Sequence, residues 1–77
     1  MTCPVRLAPA REGVYRVVHD ELGHVGNLKF AGGRWKFKAI GFDTDGSIVP
    51  GGGPYTHRHN INPDLPEARA LARLLDG

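Results

Sequence analysis

At 77 residues the chain has room for one small domain, and a domain of that size buries only about 60 to 65% of the surface its unfolded chain exposes. The single cysteine, Cys3, rules out an intramolecular disulfide, and no apolar run approaches the roughly 20 residues that span a membrane. The net charge of +2 comes from 10 Lys and Arg against 8 Asp and Glu, but it is unevenly placed: residues 27 to 40 hold Lys29, Arg34, Lys36 and Lys38 and no acid.

Residues 1–13, "MTCPVRLAPAREG", show neither a helical nor a strand period and are broken by Pro4 and Pro9. They are expected to form a mobile N-terminal arm carrying Arg6 and Arg11, leaving residues 14–77 as a single small domain. The segment lacks the apolar centre of a signal peptide, so a cytoplasmic location is expected. "VYRVVH", Val14–His19, is β-branched and aromatic and predicts a first strand, closed by the turn "DELG". "HVGNLKFA", His24–Ala31, predicts a second, with Gly26 as a bulge or a point of close packing. Gly32-Gly33 is a two-residue hairpin signal, because a type I′ turn needs positive φ at both central positions. "RWKFKAIGF", Arg34–Phe42, is the third strand, "DTDG" turns the chain, and "SIV", Ser47–Val49, is a short fourth strand or an extended exit.

Counting outward from the Gly-Gly turn pairs Phe30 with Trp35, Leu28 with Phe37 and Gly26 with Ala39 on one face. Lys29 then pairs with Lys36, Asn27 with Lys38 and Val25 with Ile40 on the other. Tyr15 and Val17 join the apolar face, while Arg16, Arg34, Val14 and Val18 join the charged one. The tail "NPDLPEARALARLLDG" predicts a helix with Asp64 as N-cap and Glu67 completing a capping box. Leu65, Ala68, Leu71, Ala72 and Leu75 fall on one stripe, and the alanines would let the helix lie close over Trp35 and Phe37. "PGGGPYTHRHNIN" reads as the connecting loop. The expected fold is α+β: a three- or four-stranded antiparallel sheet packed on one C-terminal helix.

Two lysines directly opposite each other on neighbouring strands repel by a few tenths of a kcal/mol to about 1 kcal/mol. A polyanion lying across the sheet would turn that repulsion into attraction. The expected function is therefore a small non-enzymatic binding domain that meets nucleic acid or another polyanion through Arg16, Asn27, Lys29, Arg34, Lys36 and Lys38. In element order, over roughly Val14 to Leu75, the arrangement resembles the DNA-binding modules of a class of plant transcription factors and of integrase arm-binding domains. That resemblance implies DNA contact from the exposed sheet face. The alternative is a protein-interaction or regulatory module, a homodimer included, because Val14, Val18, Val25 and Ile40 share the face with the cations. The spacing of His57 and His59 in "THRHN" offers a further alternative, a metal site completed by His19 or His24. "PGGGP" lacks the Lys-Ser/Thr of a phosphate loop, "DTDGS" lacks the ligand series of a calcium loop, and the carboxylates lie at turns and helix ends. No cofactor and no membrane partner are expected.

Overall fold

The computed structural model of the protein describes residues 3–76; residues 1, 2 and 77, the outer ends of the expected arm and domain, lie outside the described residues. Strands β1 (Val5–Arg11), β2 (Val14–His19), β3 (Gly23–Ala31), β4 (Arg34–Phe42) and β5 (Ile48–Pro50) form one antiparallel sheet in chain order. A single turn of 3-10 helix at Thr56–Arg58 and helix α1 (Ala68–Asp76) complete an α+β fold. Among the described residues no helix is long and apolar enough to cross a membrane.

The Gly32-Gly33 turn sets the register. Both glycines have positive φ, 60° and 76°, and Phe30↔Trp35, Lys29↔Lys36, Leu28↔Phe37, Asn27↔Lys38 and Gly26↔Ala39 pair as the count from the turn requires. The sheet has five strands where three or four were expected, and the extra one is the segment read as an arm. Val5, Leu7 and Pro9 alternate with Arg6 and Ala8, and of the first set Val5 and Leu7 meet the core while Pro9 is exposed. Pro9 is tolerated because β1 is an edge strand, where a missing N–H breaks little of the ladder.

One face carries the core. Val5, Val17, Val25, Leu28, Phe37 and Ala39 come from the sheet, Leu71 and Leu75 from α1, and Tyr55 from the long loop. Val25 was expected on the opposite face with Ile40. A register shift between Val17 and Val18 makes Val25 a bulge residue and turns it inward, where it is 1% exposed. Ile40 is buried outside this cluster, on the strand register shared with Pro50 of β5. Phe30, expected in the core, sits at the hairpin end with half its surface exposed, against Trp35.

The helix starts at Ala68, not just after Asp64. Pro66 is the reason: it disfavours helical backbone at Leu65, so a helix capped by Asp64 would be strained in its first turn. Glu67 instead supplies the first carbonyl, accepting from the Leu71 N–H at 3.0 Å, and Leu65 is left outside the helix and exposed. Ala68, Leu71, Ala72 and Leu75 still form the inward stripe, but α1 packs against β1 and does not lie over Trp35. Phe37 is met edge-on by Tyr55 instead, with ring centroids 6.4 Å apart.

The loop after β5 is bent tightly onto β4. A Cβ on Gly41 would lie 2.5 Å from the Gly53 nitrogen, and Gly53 has φ +83° with the Ile40 carbonyl against it. Beyond this contact the chain runs antiparallel along the rim of β4. Asn60 N–H donates to the Phe37 carbonyl, Phe37 N–H to Ile61, Ala39 N–H to His59 Nδ1, and Asn62 Nδ2 to the Trp35 carbonyl, at 2.8 to 3.0 Å.

Candidate nucleic-acid interface

On each strand the residues between the core positions face away from α1. The row across the middle of that outer face is Ala8, Arg16, Asn27, Lys38, and the next is Arg11, Val14, Lys29, Lys36. Strands β1 to β4 contain no Asp or Glu. Glu12, Asp20 and Glu21 lie in the turns at the two ends of β2, and Asp43 follows the end of β4.

Three of the six residues expected at the interface line one shallow concavity. Arg16, Asn27 and Lys29 border a hollow of about 440 Å³ together with Ala10, Arg11, Val14 and His24. Arg16 and Lys29 are exposed, whereas Asn27 is half-buried and receives a hydrogen bond from His24, Nε2 to Oδ1 2.9 Å. Lys36 and Lys38 flank the hollow on β4 with their stems half-covered. The Lys38 ammonium donates to Asn60 Oδ1 at 2.6 Å, which draws it toward the β4 rim. Arg34 stands apart. It lines a separate recess at the hairpin end with Phe30, Trp35, Asn62, Pro63 and Asp64.

Arg6, Arg11 and His24 were not assigned to the face by sequence. Arg6 lies opposite Val18 on an unrecognised strand, and Arg11 and His24 reach the outer side through β-bulges. The alternation in "VRLAP" was the available signal for the first. For His24 the only hint was Gly26, whose Cβ would lie 2.6 Å from the Phe37 ring and from the Lys38 carbonyl. Tyr55 was also missed, being embedded in the loop sequence.

The histidines of the loop are occupied differently from an extended pair. His57 lies in the 3-10 turn, while His59 Nδ1 accepts the Ala39 N–H. His19 Nδ1 accepts from the Glu21 and Leu22 N–H groups at 3.1 and 3.2 Å, which closes the β2–β3 turn. Among the described residues no group of three or more His, Cys, Asp and Glu side chains is placed to hold a metal ion. The Gly51 to Gly53 run meets β4 and His59 and offers no open cradle of amides.

The rings of Tyr15, Trp35 and Phe30 form a chain with centroid separations of 5.8 and 5.0 Å, all on the α1 side of the sheet. The cation-bearing rows contain no Phe, Tyr or Trp, so the chemistry they offer is charge and hydrogen-bond donation rather than stacking. Neither a protein-family model, nor a curated protein, nor a solved structure matches the chain.

Proposed function

We propose that the protein is a non-enzymatic domain that binds nucleic acid by its phosphates, across the outer face of β1 to β4. The observation that carries this reading is the absence of any carboxylate from four strands that bear Arg6, Arg11, Arg16, Lys29, Lys36 and Lys38 on one side. A face serving solubility alone would mix signs. Here Lys29 lies directly opposite Lys36, a pairing that costs a few tenths of a kcal/mol to about 1 kcal/mol until an anion bridges it. With no aromatic side chain among these rows, affinity comes from phosphate contacts and is sensitive to salt.

The test is fluorescence anisotropy with a labelled duplex and a labelled single strand. Six phosphate contacts to duplex give a slope of about −5 in log K against log salt, or roughly 10³ in affinity between about 50 and 200 mM. Reversing charge in a Lys29→Glu/Lys36→Glu variant should flatten the slope by about 2, at about one per contact, with melting temperature as the control for folding. Absence of binding to both nucleic acids at low salt refutes the reading.

A second reading, a protein-contact module or homodimer, is favoured by one feature. Phe42 and Ile48 pair across β4 and β5 yet are 54% and 56% exposed, with Val49 beside them. Sedimentation equilibrium tests the homodimer, and a monomer at high concentration removes it.

A further inference from the structure

We infer that the two β-bulges build a seat for a single phosphate group in the hollow between β1, β2 and β3. This rests on the nucleic-acid reading above and names where the chain grips its ligand. Both bulges cost ladder hydrogen bonds, and both re-aim a nitrogen-bearing side chain at the same place.

On β1 the pairing runs from Pro9↔Tyr15 directly to Arg11↔Val14, with Ala10 as the extra residue. An unbroken ladder would set Ala10 opposite Val14 and turn Arg11 to the α1 side. On β3 the pairing runs from Gly26↔Val17 to His24↔Val18, with Val25 extra. An unbroken ladder there would set Val25 opposite Val18 and turn His24 to the α1 side. The shifts occur on different strands and in different contexts, yet Arg11 and His24 line one hollow with Arg16, Asn27 and Lys29. Bulges are found where a strand must redirect a side chain, and two that converge on one site mark a built position.

The hydrogen-bonding in the hollow suits an oxyanion. The His24 Nε2–H donates to Asn27 Oδ1 at 2.9 Å, so what Asn27 has left to offer is chiefly its amide NH₂, a donor. The planar forks of Arg11 and Arg16 and the ammonium of Lys29 add donors from three strands, and no carboxylate lines the hollow. His24 acts through Asn27 and is a positioning residue. A phosphate group is the shared chemistry; a nucleic-acid phosphodiester and a free phosphate are its two sources.

The test is amide NMR on the full chain at low salt, titrated separately with a short DNA duplex and with inorganic phosphate. The expected result is that duplex shifts the amides of Arg11, Arg16, His24 and Asn27 at the lowest ligand ratios, ahead of Lys36 and Lys38. Asn27→Asp, which is isosteric and sets a carboxylate in the seat, should weaken duplex binding about tenfold or more, with Lys36→Gln losing only about two- to threefold. His24→Ala should weaken binding without lowering the salt slope, whereas a lost phosphate contact lowers it by about 1.

Asn27→Asp binding duplex like the parent, with shifts spread evenly over every cation, overturns the seat and leaves the nucleic-acid reading intact. Saturable phosphate shifts in the hollow with no duplex binding overturn the nucleic-acid reading but support the seat as a site for free phosphate. No response to either ligand overturns both. The amide spectrum of each variant without ligand reports whether the sheet is preserved.

Discussion

Gly26→Ala tests the packing that holds the outer face in place. A Cβ at this position would lie 2.6 Å from the Lys38 carbonyl oxygen and 2.6 Å from Phe37 Cε1 and Cζ. Carbon contacts settle near 3.5 Å or more, so the ring must retreat by about 1 Å. Phe37 is fully buried and edge-on to Tyr55, which leaves the ring little room, and the carbonyl belongs to the β4 backbone. Overpacking of this kind costs about 1 to 3 kcal/mol, and a backbone clash argues for the upper end. Removing glycine from the unfolded chain returns at most about 1 kcal/mol, so the net loss is about 2 kcal/mol. For a domain of this size that lowers the melting temperature by about 8 to 16 °C. Thermal and urea unfolding followed by circular dichroism measure it. In a Phe37→Leu background the ring is gone, and the cost of Gly26→Ala should fall by about 1 kcal/mol. A Gly26→Ala variant as stable as the parent, or one with the same cost in both backgrounds, would refute the assignment of the clash to Phe37.

Leu71→Ala, at a position with no exposure, should cost about 2 to 5 kcal/mol, while Leu74→Ala, 42% exposed on the same helix, should stay within about 0.5 kcal/mol by urea unfolding. Burial holds the Tyr55 hydroxyl above the usual tyrosine value of 10.0, and the nearby Asp76 carboxylate raises it further. The unfolded chain therefore loses this proton first, so the contribution is whole below pH 10.0 and is lost as pH rises through the folded value. Tyr55→Phe should cost about 0.5 to 1.5 kcal/mol at neutral pH, from the hydrogen bond to Asp76, and should flatten the alkaline fall in stability. Equal pH slopes for parent and variant above pH 10.0 would contradict it.

The register of β3 and β4 was legible because it needs only one turn and a period of two. Once Gly32-Gly33 closes, Asn27, Lys29, Lys36 and Lys38 must share a side, and Phe37 and Leu28 must share the other. The first strand was hidden by Pro4 just before it and by Pro9 within it, which a central strand would not accept but an edge does. The β3 bulge left a trace only in Gly26, the neighbour of the inserted Val25, and the β1 bulge left none. A residue inserted into a ladder has no residue-type signature of its own, so Val25 was placed outward and His24 and Arg11 were not placed on the face. Tyr55 was unreadable for a different reason: its burial depends on Gly41 and Gly53 meeting back to back, a contact between segments with no shared period. The helix boundary failed on a single residue, because a capping signature at Asp64 and Glu67 gives way to the backbone restriction imposed by Pro66.

The lining of the β4 rim by the chain's own residues 59–62 bears on how copies of this protein meet. A sheet edge is a template on which a foreign strand can register, and fibrils grow by that route. Here the β4 rim is already occupied from Trp35 to Ala39. Beyond it the border is β5, an edge of three residues ending in Pro50 and too short to be a good template, so the long open border is β1. At β1 an incoming strand meets Pro9, which has no N–H to give, and a bulge that breaks the spacing of the remaining donors. Recruitment of a neighbour into the ladder is thus discouraged at both borders, which leaves the broad faces, rather than the rims, as the places where this protein can be joined by something else.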